Sequence, residues 1–143
     1  MKKPIKKKKK EKLSTLKNKV WKVFSRYIKL RDCLKTTGTT AYGVCITCGK
    51  TITYESANAG HWLSRRWNET LFDEKNVNLQ CVFCNFGKGG NVHEYRRKIV
   101  QMYGEEEALE LERRAFLPKH FTAEELNELY EKYKEKLLRL EDG

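Results

Sequence analysis

The chain has 143 residues, with 30 Lys and Arg against 19 Asp and Glu and a formal net charge of +11. That length suits one small domain with extensions and excludes large barrels and doubly wound sheets. No apolar run approaches the ~18 residues needed to span a bilayer, and no apolar stretch follows the N-terminal lysines, so a cytoplasmic protein is expected and a membrane or secreted one is not.

Residues 1–12 carry eight Lys and one Glu and are expected to form a disordered tail, because they hold almost nothing to bury. Residues 13–41 read as a basic amphipathic helix and a loop. Leu13, Leu16, Val20, Phe24 and Ile28 recur at helical spacing as far as about Arg31, with Lys and Arg on most of the other face, and Thr36 to Thr40 reads as loop. Residues 42–104 form the chemical core. Ile52 and Tyr54 suggest a strand leading towards Ala59-Gly60-His61, and Val77 and Leu79 a second strand running into Cys81. From Asn91 to Tyr103 the pattern is helical, with Val92, Tyr95, Ile99 and Met102 on one face and Gly104 as the stop. Residues 105–143 are acidic helices: one near Glu105–Arg114, then, after Pro118, a last helix with a capping-box signature at Thr122 and Glu125. Its stripe of Leu126, Leu129, Tyr133, Leu137 and Leu140 is expected to pack on its own domain. The fold class is α+β, a small zinc-knuckle core with flanking amphipathic helices.

Charge is uneven along the chain. Residues 13–103 carry a net +9 and residues 104–143 a net −5. A basic core with a lysine arm attracts a polyanion, and nucleic acid is the first partner to expect.

The five Cys fall into two Cys-x-x-Cys pairs plus Cys33. In a reducing compartment such pairs are metal ligands rather than disulfides. Cys45, Cys48, Cys81 and Cys84 match a closed tetrahedral zinc site of structural type. Thirty-two residues separate Cys48 from Cys81, more than the ~15–20 of a plain zinc ribbon, so an element with its own structure is held between the knuckles. That insert carries His61. The order of strand, His, loop, Asn, strand and helix is that of a ββα-metal nuclease site, also called HNH or His-Me finger.

At this point a family resemblance becomes specific. Gly60-His61 with Ser64-Arg65, then Asn76 with Gln80-Cys81, Cys84-Asn85, and finally Gly90-Asn91 with Glu94-Tyr95, resembles the NinG (Rap) recombination nucleases of lambda-type phages. Ser25 to Asp32 resembles the segment before the first knuckle in that family. The likeness covers about 70% of the chain, from Leu13 to Arg114, and leaves out the lysine tail and the last helix. It implies a metal-dependent endonuclease, working in the host cytoplasm if phage-encoded, that cuts branched DNA such as Holliday or three-strand junctions.

Phosphodiester hydrolysis needs a base for water, a divalent cation at the scissile phosphate and charge relief for the leaving oxygen. His61, as a neutral imidazole with a pKa near ~6.5, is the candidate base. Asn76, five residues before Cys81, is the candidate that fixes the loop and orients His61, with Asn78 a weaker claimant. Asn85 offers a carbonyl oxygen suited to Mg²⁺ or Mn²⁺. Many HNH enzymes carry an acidic or His ligand directly before the base, where this chain has Gly60. His93, Glu94 and Asp73 are candidates for the rest of the shell, and His120 is expected at the surface. Arg65, Arg66 and Lys88 are candidate phosphate contacts, which position a duplex without reading its bases. Trp62 and Trp67 are expected mainly in the core. Two symmetric cuts in a junction would favour a homodimer. A non-catalytic zinc module binding nucleic acid, a structural adaptor and a sequence-specific HNH restriction or homing nuclease stay open as alternatives.

Overall fold

A computed structural model describes residues 11–142. Nearly all of the expected lysine tail, residues 1–10, lies outside the described residues. Helix α1 runs over Leu13–Thr37, six residues beyond the expected end near Arg31. Two things carry it on. Asp32 and Cys33 are buried, and the Thr36 and Thr37 hydroxyls donate to the carbonyls of Asp32 and Cys33 at 2.7 and 2.9 Å in the last turn.

The expected strand from Ile52 to His61 is two strands in different sheets. Strands β1 (Tyr42–Val44) and β2 (Thr51–Thr53) pair antiparallel around the first Cys knuckle. Strand β3 (Asn58–His61) pairs antiparallel with β4 (Val77–Gln80), His61 opposite Val77 and Gly60 opposite Asn78. The loop between them carries α2 (Asn68–Leu71), too short to show as periodicity. A π-helical turn over Phe83–Gly87 holds the second knuckle. Helices α3 (Val92–Tyr103), α4 (Glu105–Ala115) and α5 (Ala123–Asp142) complete the chain. In α3 only Tyr95 and Ile99 of the expected face are buried, while Val92 and Met102 are exposed.

Alternation along β3 and β4 directs the two faces to different partners. Ala59 and Val77 join Leu16, Val20, Phe24 and Ile28 of α1 and Leu126, Tyr133 and Leu137 of α5 in the main core. The last helix thus packs on its own domain. Its start is half of a capping box: Glu125 donates its backbone N–H to the Thr122 hydroxyl at 3.1 Å, while its carboxylate takes Lys119 at 2.8 Å. The opposite face of the sheet meets α3, whose Tyr95 and Ile99 pack with Trp62, Ala108 and Leu111.

Ionic pins fix α1 to the sheet. Asp32, 5% exposed, accepts the Leu79 N–H at 2.7 Å and the Arg31 guanidinium at 2.8 Å. Arg31 in turn donates to the carbonyls of Glu74 and Val77 at 2.9 and 3.1 Å. These contacts give the Arg31-Asp32 pair of the resembling segment a structural job.

Candidate metal centre and adjoining histidine site

The first knuckle turns β1 into β2 and the second follows β4, so four sulfurs from two sheets converge. The Cys45, Cys48, Cys81 and Cys84 sulfurs all lie within 4.8 Å of one another. Four sulfurs bound tetrahedrally at ~2.3 Å sit about 3.8 Å apart, and Cys48 and Cys81 stand at 3.8 Å. Backbone N–H groups of Cys81 and Cys84 point at the sulfurs of Cys45 and Cys81 at 3.3 and 3.4 Å, and the Asn91 side chain reaches the Cys84 sulfur at 3.7 Å. Burial raises the Cys48 and Cys81 thiols; at Cys45 burial is outweighed by the Thr47 hydroxyl and nearby N–H donors, which lower it. This donor set fits a soft divalent ion, and the four cysteines could hold a metal such as zinc, which would staple the two sheets together.

His61 ends β3, 9% exposed. Its ring stacks on Trp21 of α1 with centroids 5.0 Å apart, and its Nε2 lies 3.0 Å from the Leu71 carbonyl. A carbonyl can only accept, so Nε2 carries the hydrogen and Nδ1 keeps the lone pair. Burial, opposed by the Leu71 carbonyl and assisted by the Arg65 charge, lowers the imidazole to about 4 rather than the 6.5 expected for an unperturbed ring. The ring is therefore neutral across the physiological range. Trp21 and the Leu71 carbonyl carry no motif of their own; only packing α1 and α2 against β3 brings them to His61.

Asn76 is fully buried and clamps the loop. Its side chain accepts the Leu63 N–H at 2.7 Å and donates to the carbonyls of Leu63 and Thr70, both at 3.0 Å. Its own carbonyl accepts the Trp62 N–H at 3.0 Å, so the backbone just after His61 is set by this residue. Asn78 has a different task, donating to the Lys75 carbonyl at 3.2 Å and the Tyr95 hydroxyl at 3.1 Å. Tyr95 then donates to the Gly60 carbonyl at 2.7 Å, tying α3 to the residue before His61.

Gly60 has a steric reason. A Cβ there would collide with the side-chain amide of Gln80. Gln80 is fully buried and donates to the Gly90 carbonyl at 2.7 Å and the Thr47 hydroxyl at 3.2 Å, leaving its Oε1 without a partner. Gly60, Asn76, Gln80, Gly90 and Tyr95 of the motif thus hold one another around the β3–β4 pair.

Asn85 is half-buried in the π-turn, where its backbone N–H donates to Cys81 at 2.9 Å. The other proposed cation ligands are engaged or apart. Asp73 pairs with Arg114 at 2.9 Å, Glu94 pairs with Arg97 at 3.1 Å, and His93 is exposed; His120, expected at the surface, is exposed as well. Among the described residues, the four cysteines are the group of His, Cys, Asp and Glu side chains close enough to share an ion. Arg65, Arg66 and Lys88 are exposed and form no salt bridge among the described residues. Each lies over an aromatic ring: Arg65 over Trp21 at 4.9 Å, Arg66 over Trp67 at 5.3 Å and Lys88 over Phe83 at 5.6 Å. Trp62 is buried as expected; Trp67 is half-buried against Phe116.

Fold and site together define a small α+β protein organised around a four-cysteine metal knuckle and a buried histidine. The family model described as "Bacteriophage Lambda NinG protein" matches residues 1–142, taking in the last helix as well. The chain belongs to the NinG family. It is 36% identical over 100 residues to Protein ninG of Escherichia phage 933W, covering 69% of this chain and 49% of that protein. It is 36% identical over 101 residues to Protein ninG of Salmonella phage P22, covering 69% and 48%. With Protein ninG of Escherichia phage lambda it shares 34% over 100 residues, covering 69% and 48%. The chain spans about half the length of these curated relatives. No solved structure matches. Among the described residues no helix is long and apolar enough to cross a membrane.

Proposed function

We propose that the chain is a metal-dependent, structure-selective DNA endonuclease that hydrolyses phosphodiesters in branched recombination intermediates. One observation carries the reading: a neutral His61 at the end of β3, its Nε2 committed to the Leu71 carbonyl and its Nδ1 lone pair left as an acceptor. The succession of β3, β4 and α3 around a cysteine knuckle supports it, being the order of a ββα-metal site.

In this reading Nδ1 of His61 takes a proton from water as the oxygen attacks phosphorus, and the bond to the leaving oxygen breaks. Asn76 holds the loop that follows His61, and Trp21 holds the ring plane. Arg65, Arg66 and Lys88 engage phosphates flanking the cut. Mg²⁺ or Mn²⁺, held by the Asn85 carbonyl oxygen with water in the remaining positions, would neutralise charge on the scissile phosphate and leaving oxygen. Zinc in the cysteine cluster would be structural.

The test is cleavage of end-labelled four-way and three-strand junctions of two unrelated sequences, beside matched linear duplexes, with and without Mg²⁺. Cuts near the branch in both sequences are expected, with duplex cut much more slowly. His61→Ala should lose ~10²–10⁴ in rate while junction affinity stays within a few-fold. Cuts that follow one motif wherever it is placed would favour a restriction-type enzyme, and binding without any cutting would leave a zinc module.

A further inference from the structure

We infer that Phe83 and Phe86, exposed on the π-turn of the second knuckle, form a stacking platform for an unpaired nucleobase at a DNA branch. This inference deepens the endonuclease reading and rests on its assignment of DNA as partner. Phe86 is 72% exposed and Phe83 66%, with Val82 beside them at 51%. Phe24, Phe72 and Phe121 are buried in the main core, and Phe116, 67% exposed, sits against Trp67. Three exposed apolar side chains within a five-residue stretch mark a contact surface.

The patch is rigidly mounted. Cys84 is buried beneath it, and the turn is closed by Asn85 N–H to Cys81 at 2.9 Å, Lys88 N–H to Phe83 at 2.9 Å and Gly90 N–H to Cys84 at 3.0 Å. A Cβ at Gly87 would stand 2.9 Å from Cδ2 of Phe83, so glycine there lets that ring lie against the backbone. The Phe83 ring, set against that backbone, loses little conformational freedom on binding.

Charge selects the occupant. Residues 81–93 contain no Asp or Glu, and the Lys88 ammonium lies 5.6 Å from the Phe83 ring centroid. An aromatic face with a lysine ammonium over it matches a base and its phosphate, because the flexible lysine stem lets the ammonium swing onto the phosphate as the base takes the face. A paired base has both faces covered by its neighbours, whereas a base freed at a branch offers one. Asn85 lies between Phe83 and Phe86 in sequence, on the same π-turn, so the platform and the proposed cation ligand share one short segment. Phosphate contacts alone grip all duplexes alike; this platform supplies a preference for unpaired positions.

The experiment uses the full chain without added Mg²⁺ or Mn²⁺ and a three-strand junction carrying 2-aminopurine at its unpaired position. Wild type and the Phe83→Tyr/Phe86→Tyr protein should quench the probe on binding. The Phe83→Leu/Phe86→Leu protein, equally apolar but without rings, should not. Its junction affinity should fall by roughly 5- to 150-fold for each stack lost, with linear-duplex affinity within twofold of wild type. Unchanged quenching by the Leu variant, or an equal loss on duplex, would overturn the inference. So would a wild-type dimer in sedimentation that the Leu variant turns to monomer with DNA binding intact, since the patch would then be a self-association surface. Adding Mg²⁺ separates the two readings: quenching without cutting of any DNA leaves the platform and removes the nuclease. Cutting without quenching does the reverse.

Discussion

His61 sits at the meeting of three constraints: a strand end, an aromatic partner from α1 and a carbonyl from α2. Its value of about 4 lies below the unfolded-state value of 6.5, because burial penalises the charged ring. Between those values the unfolded chain binds a proton that the folded chain refuses. The stabilisation is therefore complete above about pH 6.5 and is lost as pH falls towards 4, about 3 kcal/mol in all. Urea titrations of wild type and His61→Gln across this window should show the steeper loss in wild type; coincident slopes would mean the ring is not buried neutral. The cleavage proposed above should follow the same chemistry, with its acid limb well below pH 6.5 for the unbound protein.

At the scale of elements, helix α1 is the scaffold on which the site is hung. It is too basic and too exposed at its start to be stable by propensity alone, and its apolar stripe needs α5 and the β3–β4 sheet. Asp32 and Arg31 fix its rotation and register, and hence where Trp21 meets His61. Asp32→Ala would strand the buried Leu79 N–H and leave Arg31 with only the more distant Glu74 carboxylate at 3.9 Å, an expected loss of about 2–5 kcal/mol. A lower urea midpoint with unchanged m-value checks this, against Lys22→Ala, an exposed residue of the same helix, expected within ~0.5 kcal/mol. Equal midpoints for the two variants would show that the pin is dispensable.

For the whole molecule the cysteine cluster is the joint between parts that are small on their own. Each sheet has two strands, and an isolated two-stranded ribbon is marginal in water. A shared ion would convert two weak hairpins into one body. Cys45→Ser should therefore unfold the central segment, since metal binding at such a site is folding free energy on the order of 10 kcal/mol. Circular dichroism melts with metal content measured alongside would decide it. Near-native melting of a metal-free Cys45→Ser protein would remove the zinc assignment.

The two Cys-x-x-Cys pairs and the long helices were legible because each is a local pattern: ligand spacing, apolar period or cap. The metal-ligand geometry follows from residue type and reach, so spacing alone nominated the four cysteines. The split of the expected Ile52–His61 strand was not legible, because alternation does not say which neighbour a strand will pair with. The full length of α1 was hidden for a similar reason: Cys33 looks neutral until a sheet packs on it. Gly60 reads in the sequence as a missing ligand and in the structure as the room that Gln80 needs. Sequence by itself determined the chemistry available, a soft four-sulfur cage and the His61 imidazole between the knuckles of a basic chain. Tertiary structure alone decided the state of that imidazole, because its burial, its tautomer and its Trp21 neighbour come from segments up to forty residues away.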